Sequence, residues 1–285
     1  MPQLAGRVKA LAWATLAANI MIVVTGGAVR LTGSGLGCPT WPRCTEESFT
    51  PHGEMDIHSA IEFGNRLLTF VLVAVALLTF MAAWQTGRRE LRRLALVLAL
   101  GIPAQAVIGG ITVLTDLNPW IVSLHLVLSL GLIGLAVLFL RRIDQSAPVV
   151  HHGPLLTLAW LTFAAGWVVL YIGTIVTGAG PHAGDADSPR NGLDPLQLSQ
   201  LHADAVFLFV GLTVGLLLAV RVAGRSGAVA TAVAALLGIQ LAQGLVGFVQ
   251  YYTDLPELLV GIHLFGAAVI SAAMTHAVLE VREGR

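Results

Sequence analysis

The chain has 285 residues, of which 56% are apolar and only 11% charged, whereas about a quarter of the residues of a soluble domain are charged. Sixteen basic residues balance sixteen acidic ones, so neither a basic nucleic-acid-binding surface nor an acidic disordered tail is indicated. Two cysteines are too few for a disulfide-rich secreted scaffold. The composition therefore predicts an integral membrane protein.

Long apolar runs give the predicted elements. A helix that crosses a bilayer needs about 20 consecutive apolar residues, and eight segments of the chain meet this requirement. We therefore expect an all-α integral membrane protein with eight transmembrane helices. In chain order the segments are 10–29, 57–84, 94–114, 120–140, 155–177, 197–220, 228–250 and 257–279.

The distribution of basic residues predicts the orientation of these helices. Loops on the cytoplasmic side of a membrane are enriched in lysine and arginine. Twelve of the sixteen basic residues lie before the first segment, after the last, or in the loops that follow the second, fourth and sixth segments. Both termini are therefore predicted to be cytoplasmic, and the two longest loops, 30–56 and 178–196, to face outside.

An internal duplication divides the chain into two halves. Residues 105–125 match residues 243–263 at a constant offset of 138. Because each half contains four spans, both insert in the same direction, as parallel repeats do. We expect two tandem, pseudo-symmetric four-helix bundles, an N-terminal half over 1–150 and a C-terminal half over 151–285. The matched identities include Gln105 with Gln243, Gly109 with Gly247, Thr115-Asp116-Leu117 with Thr253-Asp254-Leu255, and His125 with His263.

Histidines inside the predicted spans are candidate ligands, because ionisable residues are costly in a bilayer and are usually functional there. His125, His202 and His263 lie near the predicted outer ends of their spans. An imidazole from each of two facing helices is a common way to hold a haem in a four-helix bundle. The duplication suggests one site per half: His202 with His263 in the C-terminal half, and His125 with a partner from the second span in the N-terminal half.

Two other interpretations of these histidines stay open. They could act only as hydrogen-bond partners between helices. A metal site without porphyrin is less favoured, because no cysteine and only one carboxylate lie near enough to complete a zinc or di-iron ligand set. The remaining histidines lie in loops or near the cytoplasmic edge and are expected to be solvated and without a role: His52, His151, His152, His182 and His276.

Polar residues also mark the start of the second span. His58, Glu62 and Asn65 are spaced i, i+4, i+7 and therefore share one face of a helix. Three arginines on the predicted outer side match the geometry of carboxylates and are candidates for contacts with haem propionates or, equally, with lipid headgroups. They are Arg30, Arg66 and Arg190.

Two segments resemble sequences of the haem A synthase family. The run GGAVRLTGSGLGCP at 26–39, followed by WPRC at 41–44, resembles the family's first external loop, and IEFGNRL at 61–67 resembles its second span. The family also has eight spans in two four-helix halves, so the resemblance extends over essentially the whole chain. With the arginine-rich composition, it implies a bacterial protein of an actinobacterial type.

The resemblance implies roles for particular residues. In the family, haem b is held by histidines of the C-terminal half that match His202 and His263. The N-terminal half takes haem O as substrate and oxidises its C8 methyl group to the formyl of haem A. The histidine of the fourth span matches His125, and a glutamate considered essential for the oxidation matches Glu62.

The resemblance also pairs the two cysteines. The family's loop cysteines form a disulfide and match Cys38 and Cys44. A disulfide is also the expected state of cysteines in an oxidising outer compartment. Such a bond would serve as a structural staple, hold the loop over the substrate site, or act as a reducible switch.

The second span departs from the family pattern at one position. The family has Glu-x-x-His-Arg, whereas this chain has Glu62 and Arg66 with Asn65 at the place of the histidine. His58 lies on the same face but about 10 Å away along the helix. Either His58 replaces the missing imidazole, or the iron in this half is bound by His125 alone, which would leave an open position suited to oxidation chemistry.

Glu62 has two possible roles on the sequence alone. Oxidation of a methyl group builds positive charge on its carbon, which a carboxylate stabilises, or the carboxylate acts as base for an attacking water. The alternative is an ion pair with Arg66, four residues further along the same helix.

The leading hypothesis is a bacterial cell-membrane oxidoreductase that converts haem O to haem A for terminal oxidases. Its expected partners are haem O, haem O synthase (a prenyltransferase), an electron carrier and membrane lipid, without nucleic acid. One alternative is a di-haem b-type cytochrome that takes electrons from quinol, which leaves Glu62 and the cysteines without a role. A transporter with parallel repeats is disfavoured, because no span shows a paired Gly/Pro interruption at mid-membrane depth.

Overall fold

The computed structural model describes residues 4–51, 56–144, 153–225 and 227–283. A short 3₁₀ turn, Leu4–Arg7, leads into eight long helices, each apolar enough to cross a membrane. The predicted all-α, eight-helix membrane protein is therefore confirmed. The helices are α1 Val8–Leu31, α2 Ile57–Gln85, α3 Arg89–Leu114, α4 Pro119–Asp144, α5 Pro154–Ala179, α6 Pro195–Val222, α7 Gly227–Tyr252 and α8 Glu257–Glu283.

The helices begin and end close to the predicted positions, and the largest differences lie at charged ends. α3 begins at Arg89 rather than at 94, and α4 continues to Asp144 rather than ending at 140. Apolar runs report only the part of a helix inside hydrocarbon, whereas arginine is itself a good helix former. α6 begins as helix-capping rules predict: Pro195 is its first residue, and the Asp194 carboxylate accepts a hydrogen bond of 2.8 Å from the Leu196 N–H.

Packing between the helices forms two rings of four. In the first ring, α1 packs on α2, α2 on α3, α3 on α4, and α4 on α1; in the second, α5 to α8 pack in the same cyclic order. The rings meet where α8 packs on α1 and α4, and where α4 packs on α5. The boundary at 150 and 151 lies outside the described residues, so the division into two pseudo-symmetric halves stays a prediction.

The two turns related by the sequence repeat have the same backbone conformation. Asp116 and Leu117, between α3 and α4, have φ values of 52° and 59°, and Asp254 and Leu255, between α7 and α8, have 60° and 57°. Positive φ is uncommon for residues other than glycine. In both turns the leucine N–H closes a 2.8 Å hydrogen bond to the backbone carbonyl five residues earlier. Both turns lie on the face that also carries the α1–α2 and α5–α6 connections, which we call the loop face.

On the opposite face, where the described chain begins and ends, a buried ion-pair network joins α4 to α8. The Arg142 guanidinium contacts the Glu283 carboxylate at 2.6 Å and the Glu90 carboxylate of α3 at 2.7 Å. Arg141 pairs with Glu280 of α8. The Glu283 side chain is 0% exposed. Since α4 and α8 belong to different rings, these ion pairs stabilise the packing of one four-helix ring against the other.

Candidate functional site

Two histidines meet inside the second ring. His202 of α6 and His263 of α8 have ring centres 6.4 Å apart, with their planes at 70°. α6 and α8 do not pack directly against each other in the described residues. The two imidazole rings therefore approach each other across the interior of the four-helix ring. Each histidine has a buried Nδ1 atom with no hydrogen-bond partner in the described part of the chain. His202 also makes a contact between helices with the Val169 backbone of α5, whereas the His263 Nδ1 stays unexplained by hydrogen bonds between helices.

The distance between the two imidazole rings fits two ligands of the same iron atom. Bonds between a metal and an imidazole nitrogen are about 2 Å long and the ring centre lies about 1 Å beyond the nitrogen, so two imidazoles on opposite sides of one metal have centres about 6 Å apart. Glycines leave room beside both imidazole rings. A Cβ atom at Gly173 would lie 3.0 Å from the His202 ring, and one at Gly247 would lie 3.2 Å from the His263 ring. The spacing of the two imidazoles therefore fits a bis-histidine haem.

A largely apolar cavity of about 170 Å³ extends from this histidine pair. Helices of both rings line it, so it is not confined to the second ring. Two residues from the loop face belong to it, Arg30 at the end of α1 and His182 of the α5–α6 loop. Its other polar lining residues are Thr174, Thr177, His202, Gln240, Gln243, Gln250 and His263.

Arg30 closes the loop-face side of the cavity. Its Nε donates to the His182 carbonyl oxygen at 2.6 Å, and its Nη2 donates to the Thr177 carbonyl oxygen at 2.8 Å. The His182 ring is itself within 2.9 Å of the Leu255 carbonyl oxygen through Nε2. The expectation that His182 is simply solvated is therefore wrong, because its ring is half-buried and contacts the backbone before α8. Nothing in the sequence of this polar loop indicated that it folds back over the helix ends.

His125 of the first ring and its repeat counterpart His263 are supported by equivalent contacts. The Gln105 side chain donates to the His125 carbonyl oxygen at 3.0 Å, and Gln243 donates to the His263 carbonyl oxygen at 2.5 Å. A Cβ at Gly109 would lie 3.3 Å from the His125 ring, as at Gly247 beside His263. His125 also has a buried, unpartnered Nδ1. The glutamines are visible in the sequence as repeat identities, but their role as supports of the histidine-bearing helices is not.

Glu62 lies under the loop that carries the two cysteines. The predicted disulfide between Cys38 and Cys44 is present, and both cysteines are buried. The Cys38 N–H donates to Glu62 Oε2 at 2.5 Å. Arg66 Nη2 donates to Glu62 Oε1 at 2.6 Å and to the Cys38 carbonyl oxygen at 2.8 Å. The ion pair raised as the alternative role of Glu62 therefore exists, and it holds the disulfide loop as well as the carboxylate.

Further packing fixes this loop against the first ring. The Trp41 ring occupies the space in which Gly110 of α3 would otherwise carry a Cβ. Gly37 is equally close to the backbone of His58, where a Cβ would lie 2.5 Å from the carbonyl carbon. Glycine is required at both places because no side chain fits.

The remaining polar residues of α2 are held separately. The His58 ring Nδ1 lies 3.0 Å from the Ser34 hydroxyl, at the very start of the helix. Asn65 accepts a 2.8 Å hydrogen bond from the Thr25 hydroxyl of α1 through its Oδ1. The described residues show no ring contact between His58 and His125, so the structure does not bring this candidate pair together.

The remaining residues singled out from the sequence have surroundings of different kinds. The exposed Arg190 donates to the carbonyl oxygens of Ser188 and Pro181. His276 is exposed, with Nε2 at 3.9 Å from Glu280. The described residues contain no group of three or more His, Cys, Asp or Glu side chains that could hold a bare metal ion. His52, His151 and His152 lie outside the described residues.

Comparisons with known proteins identify the family. The family model of the cytochrome oxidase assembly protein COX15-CtaA matches residues 9–188. A protein of Staphylococcus epidermidis named "Heme A synthase" is 29% identical over 213 residues, which cover 68% of this chain and 70% of that protein. Proteins with the same name from a Bradyrhizobium species and from Lysinibacillus sphaericus are 30% identical over 204 residues and 31% identical over 144 residues. These matches cover 58% and 48% of this chain, and 56% and 46% of the two proteins. The chain is thus a multi-pass membrane protein that belongs to the cytochrome oxidase assembly protein family, COX15-CtaA.

Proposed function

We propose that this protein is a haem A synthase, an oxidoreductase that converts the C8 methyl group of haem O to the formyl group of haem A. One observation carries the proposal: a buried carboxylate, Glu62, is held beneath a disulfide loop in the ring that contains His125, in a family whose curated relatives bear this name. A di-haem b-type cytochrome is not favoured, because electron transfer alone gives the Glu62–Cys38 contact no role. A transporter equally leaves the histidine pair unexplained.

The second ring holds haem b in this proposal. His202 and His263 would hold its iron, a role supported by their 6.4 Å ring separation and unpartnered Nδ1 atoms. Arg30 faces its propionates, since a guanidinium pairs well with carboxylates and Arg30 lines the loop-face end of the cavity. Bound haem b supplies a one-electron carrier. The protein contributes an apolar, enclosed setting for it.

The first ring binds haem O as substrate, with His125 as the residue that holds it. Gln105 fixes the backbone of α4 at His125. Glu62 acts on the reacting methyl group. Its side chain is only 7% exposed; Oε1 accepts two hydrogen bonds from Arg66, and Oε2 accepts one from the Cys38 N–H. A carboxylate oxygen has two acceptor sites, so Oε2 retains capacity to take a proton, and the carboxylate can stabilise positive charge on the carbon being oxidised.

The proposal also includes location and partners. The basic loops favour a cytoplasmic position for both termini in a bacterial cell, and in that orientation the loop face and both proposed haem sites lie at the outer side. Oxidation of a methyl group to a formyl group takes up the oxygen of one water molecule and releases four protons and four electrons, and an electron carrier of the membrane must accept the electrons. Haem O synthase, the prenyltransferase that makes the substrate, is the expected source of haem O. The domains in this proposal are the N-terminal half 1–150 for the substrate and the C-terminal half 151–285 for haem b.

A single substitution tests the proposed role of Glu62. We expect Glu62→Gln, purified from cells that also make haem O, to keep haem b and bound haem O but to contain no haem A. The amide keeps the size of the side chain and loses its charge and basicity. Glu257→Gln, at the exposed start of α8, is the matched control and should yield haem A as the unmodified protein does. Haem A at the unmodified level in Glu62→Gln would refute the assignment. Extraction followed by chromatography separates the haems.

A further inference from the structure

The two rings differ at the residue that stands across from the repeat-related histidine. In the second ring, α8 contributes His263 and the diagonal helix α6 contributes His202. In the first ring, α4 contributes His125, and α2 is the helix in the diagonal position. Like α6 and α8, α2 and α4 do not pack directly on each other in the described residues. The question is which side chain of α2 takes the place that His202 takes in α6.

Asn65 lies on the inward face of α2. It shares a stripe at i+3 and i+4 spacing with Glu62, Leu72, Ala76 and Thr79, which are all buried. Thr25, the residue that donates to Asn65, belongs to the neighbouring helix α1. Asn65 is therefore half-buried and held against α1, on the side of α2 that packs on the other helices.

The distance of Asn65 from the loop-face end of its helix also makes it the counterpart of His202. At 1.5 Å per residue, Asn65 lies about 12 Å below the start of α2 at Ile57, and His202 lies about 10 Å below the start of α6 at Pro195. His125 lies about 9 Å below the start of α4 at Pro119. These three residues therefore lie at similar depths from the loop face.

His58 does not meet either condition. It is the second residue of α2, about 10 Å further out than Asn65 along the helix axis. Its Nδ1 is paired with the Ser34 hydroxyl at 3.0 Å, and Ser34 is itself fixed by a 2.9 Å bond from its N–H to the Val29 carbonyl oxygen. Gly37 packs on the His58 backbone. A move of His58 toward the depth of His125 would break all of these contacts.

We propose that the iron of haem O in the first ring is bound by a single imidazole, that of His125, and that Asn65 keeps the opposite axial position free of a protein ligand. This inference rests on the proposed function and deepens it. Asn65 Oδ1 is engaged by the Thr25 hydroxyl, and an amide nitrogen has no lone pair for a metal.

Carbon monoxide is the probe, because it binds ferrous haem only where an axial position is open. We expect reduced protein loaded with haem O to bind about one carbon monoxide per haem O, since a haem held by two histidines has no open position. Asn65→His should abolish this binding and turn the ferric haem O from high-spin to low-spin by electron paramagnetic resonance. Asn65→Ala should bind carbon monoxide as the unmodified protein does, and so should His58→Ala, the matched control.

Each contrary result has a distinct meaning. An unmodified protein that does not bind carbon monoxide, but gains binding in His58→Ala, would show that His58 is the second ligand. Carbon monoxide binding that persists in Asn65→His would show that Asn65 does not stand at the axial position. Either result overturns the inference while leaving the proposed function intact. Haem O content that is unchanged in His125→Ala would instead overturn the proposed substrate site itself.

Discussion

The two four-helix rings have the same supports around one histidine and different residues around the rest of the site. In each ring, a glutamine side chain holds the histidine-bearing helix by its carbonyl oxygen, a glycine leaves room beside the imidazole, and a left-handed aspartate–leucine turn precedes the helix. The second ring adds a second imidazole, beside a cavity that helices of both rings line. The first ring adds a carboxylate and a disulfide loop bound to it. The difference teaches that two rings of the same packing and with the same supports around one histidine can present different chemical groups, which is the basis of the separate roles proposed for them.

The largest expected effect comes from removing one histidine from each ring. We expect His263→Ala to reduce haem b from about one per chain to near zero, because an iron with one of two axial ligands removed is weakly held. We expect His125→Ala to lose haem O and to keep haem b. Haem content after extraction measures both. Loss of the same haem in both variants would show that the rings do not hold separate groups.

Disruption of the disulfide should affect only the first ring. We expect Cys38→Ser combined with Cys44→Ser to lower haem A formation by on the order of tenfold, because a displaced Cys38 N–H no longer positions Glu62, and to leave haem b unchanged. The measurement is haem A per haem b in the purified protein. Full haem A formation in the double variant would reduce the disulfide to a structural staple.

The ion-pair network between α4 and α8 should affect the free energy of unfolding more than it affects haem A formation. Glu283→Ala removes the buried carboxylate that pairs with Arg142 and Arg141, which keep only Glu90 and Glu280 as partners among the described residues, and breaking a buried ion pair costs up to about 3–5 kcal/mol. The control is Asp144→Ala, which removes an ion pair with Lys9 whose side chains are 55% and 56% exposed and should cost less than about 1 kcal/mol. Denaturation in detergent compares the two. Equal losses in free energy of unfolding would contradict the assigned difference in burial.

The smallest expected effect comes from the supporting glutamines. Loss of one hydrogen bond of this kind costs about 1 kcal/mol, or about fivefold in affinity. We expect Gln243→Leu to weaken haem b binding by about that factor and Gln105→Leu to weaken haem O binding by a similar one, each without effect on the other haem. Titration of protein freed of haem measures both affinities. A Gln105→Leu variant that weakens haem b instead would break the correspondence between the rings.

The helices and the histidines were predictable because the bilayer imposes strong and local requirements. Eight apolar runs of the length of a membrane determined the helices, and the cost of ionisable groups in hydrocarbon singled out His125, His202 and His263. The family resemblance then paired Cys38 with Cys44. All of these signals lie within short stretches of sequence.

The contacts that shape the site were not predictable, since they join residues far apart in the chain through backbone groups. The bond from Cys38 N–H to Glu62 and the bonds from Arg30 to the carbonyl oxygens of Thr177 and His182 leave no pattern in side-chain type or spacing. For the same reason, the sequence indicates no more than a solvated loop position for His182. The identity of Gln105 with Gln243 was visible, but only the structure shows that both amides reach a histidine carbonyl.

One measurement tests the central claim most directly: the haem composition of the unmodified protein, purified from cells that also make haem O. The account predicts haem b together with haem A, or with a partly oxidised form of haem O, because the two rings hold different groups and only one of them performs oxidation. Haem b alone, at two per chain, would contradict it and would identify the two rings as equivalent electron-transfer sites.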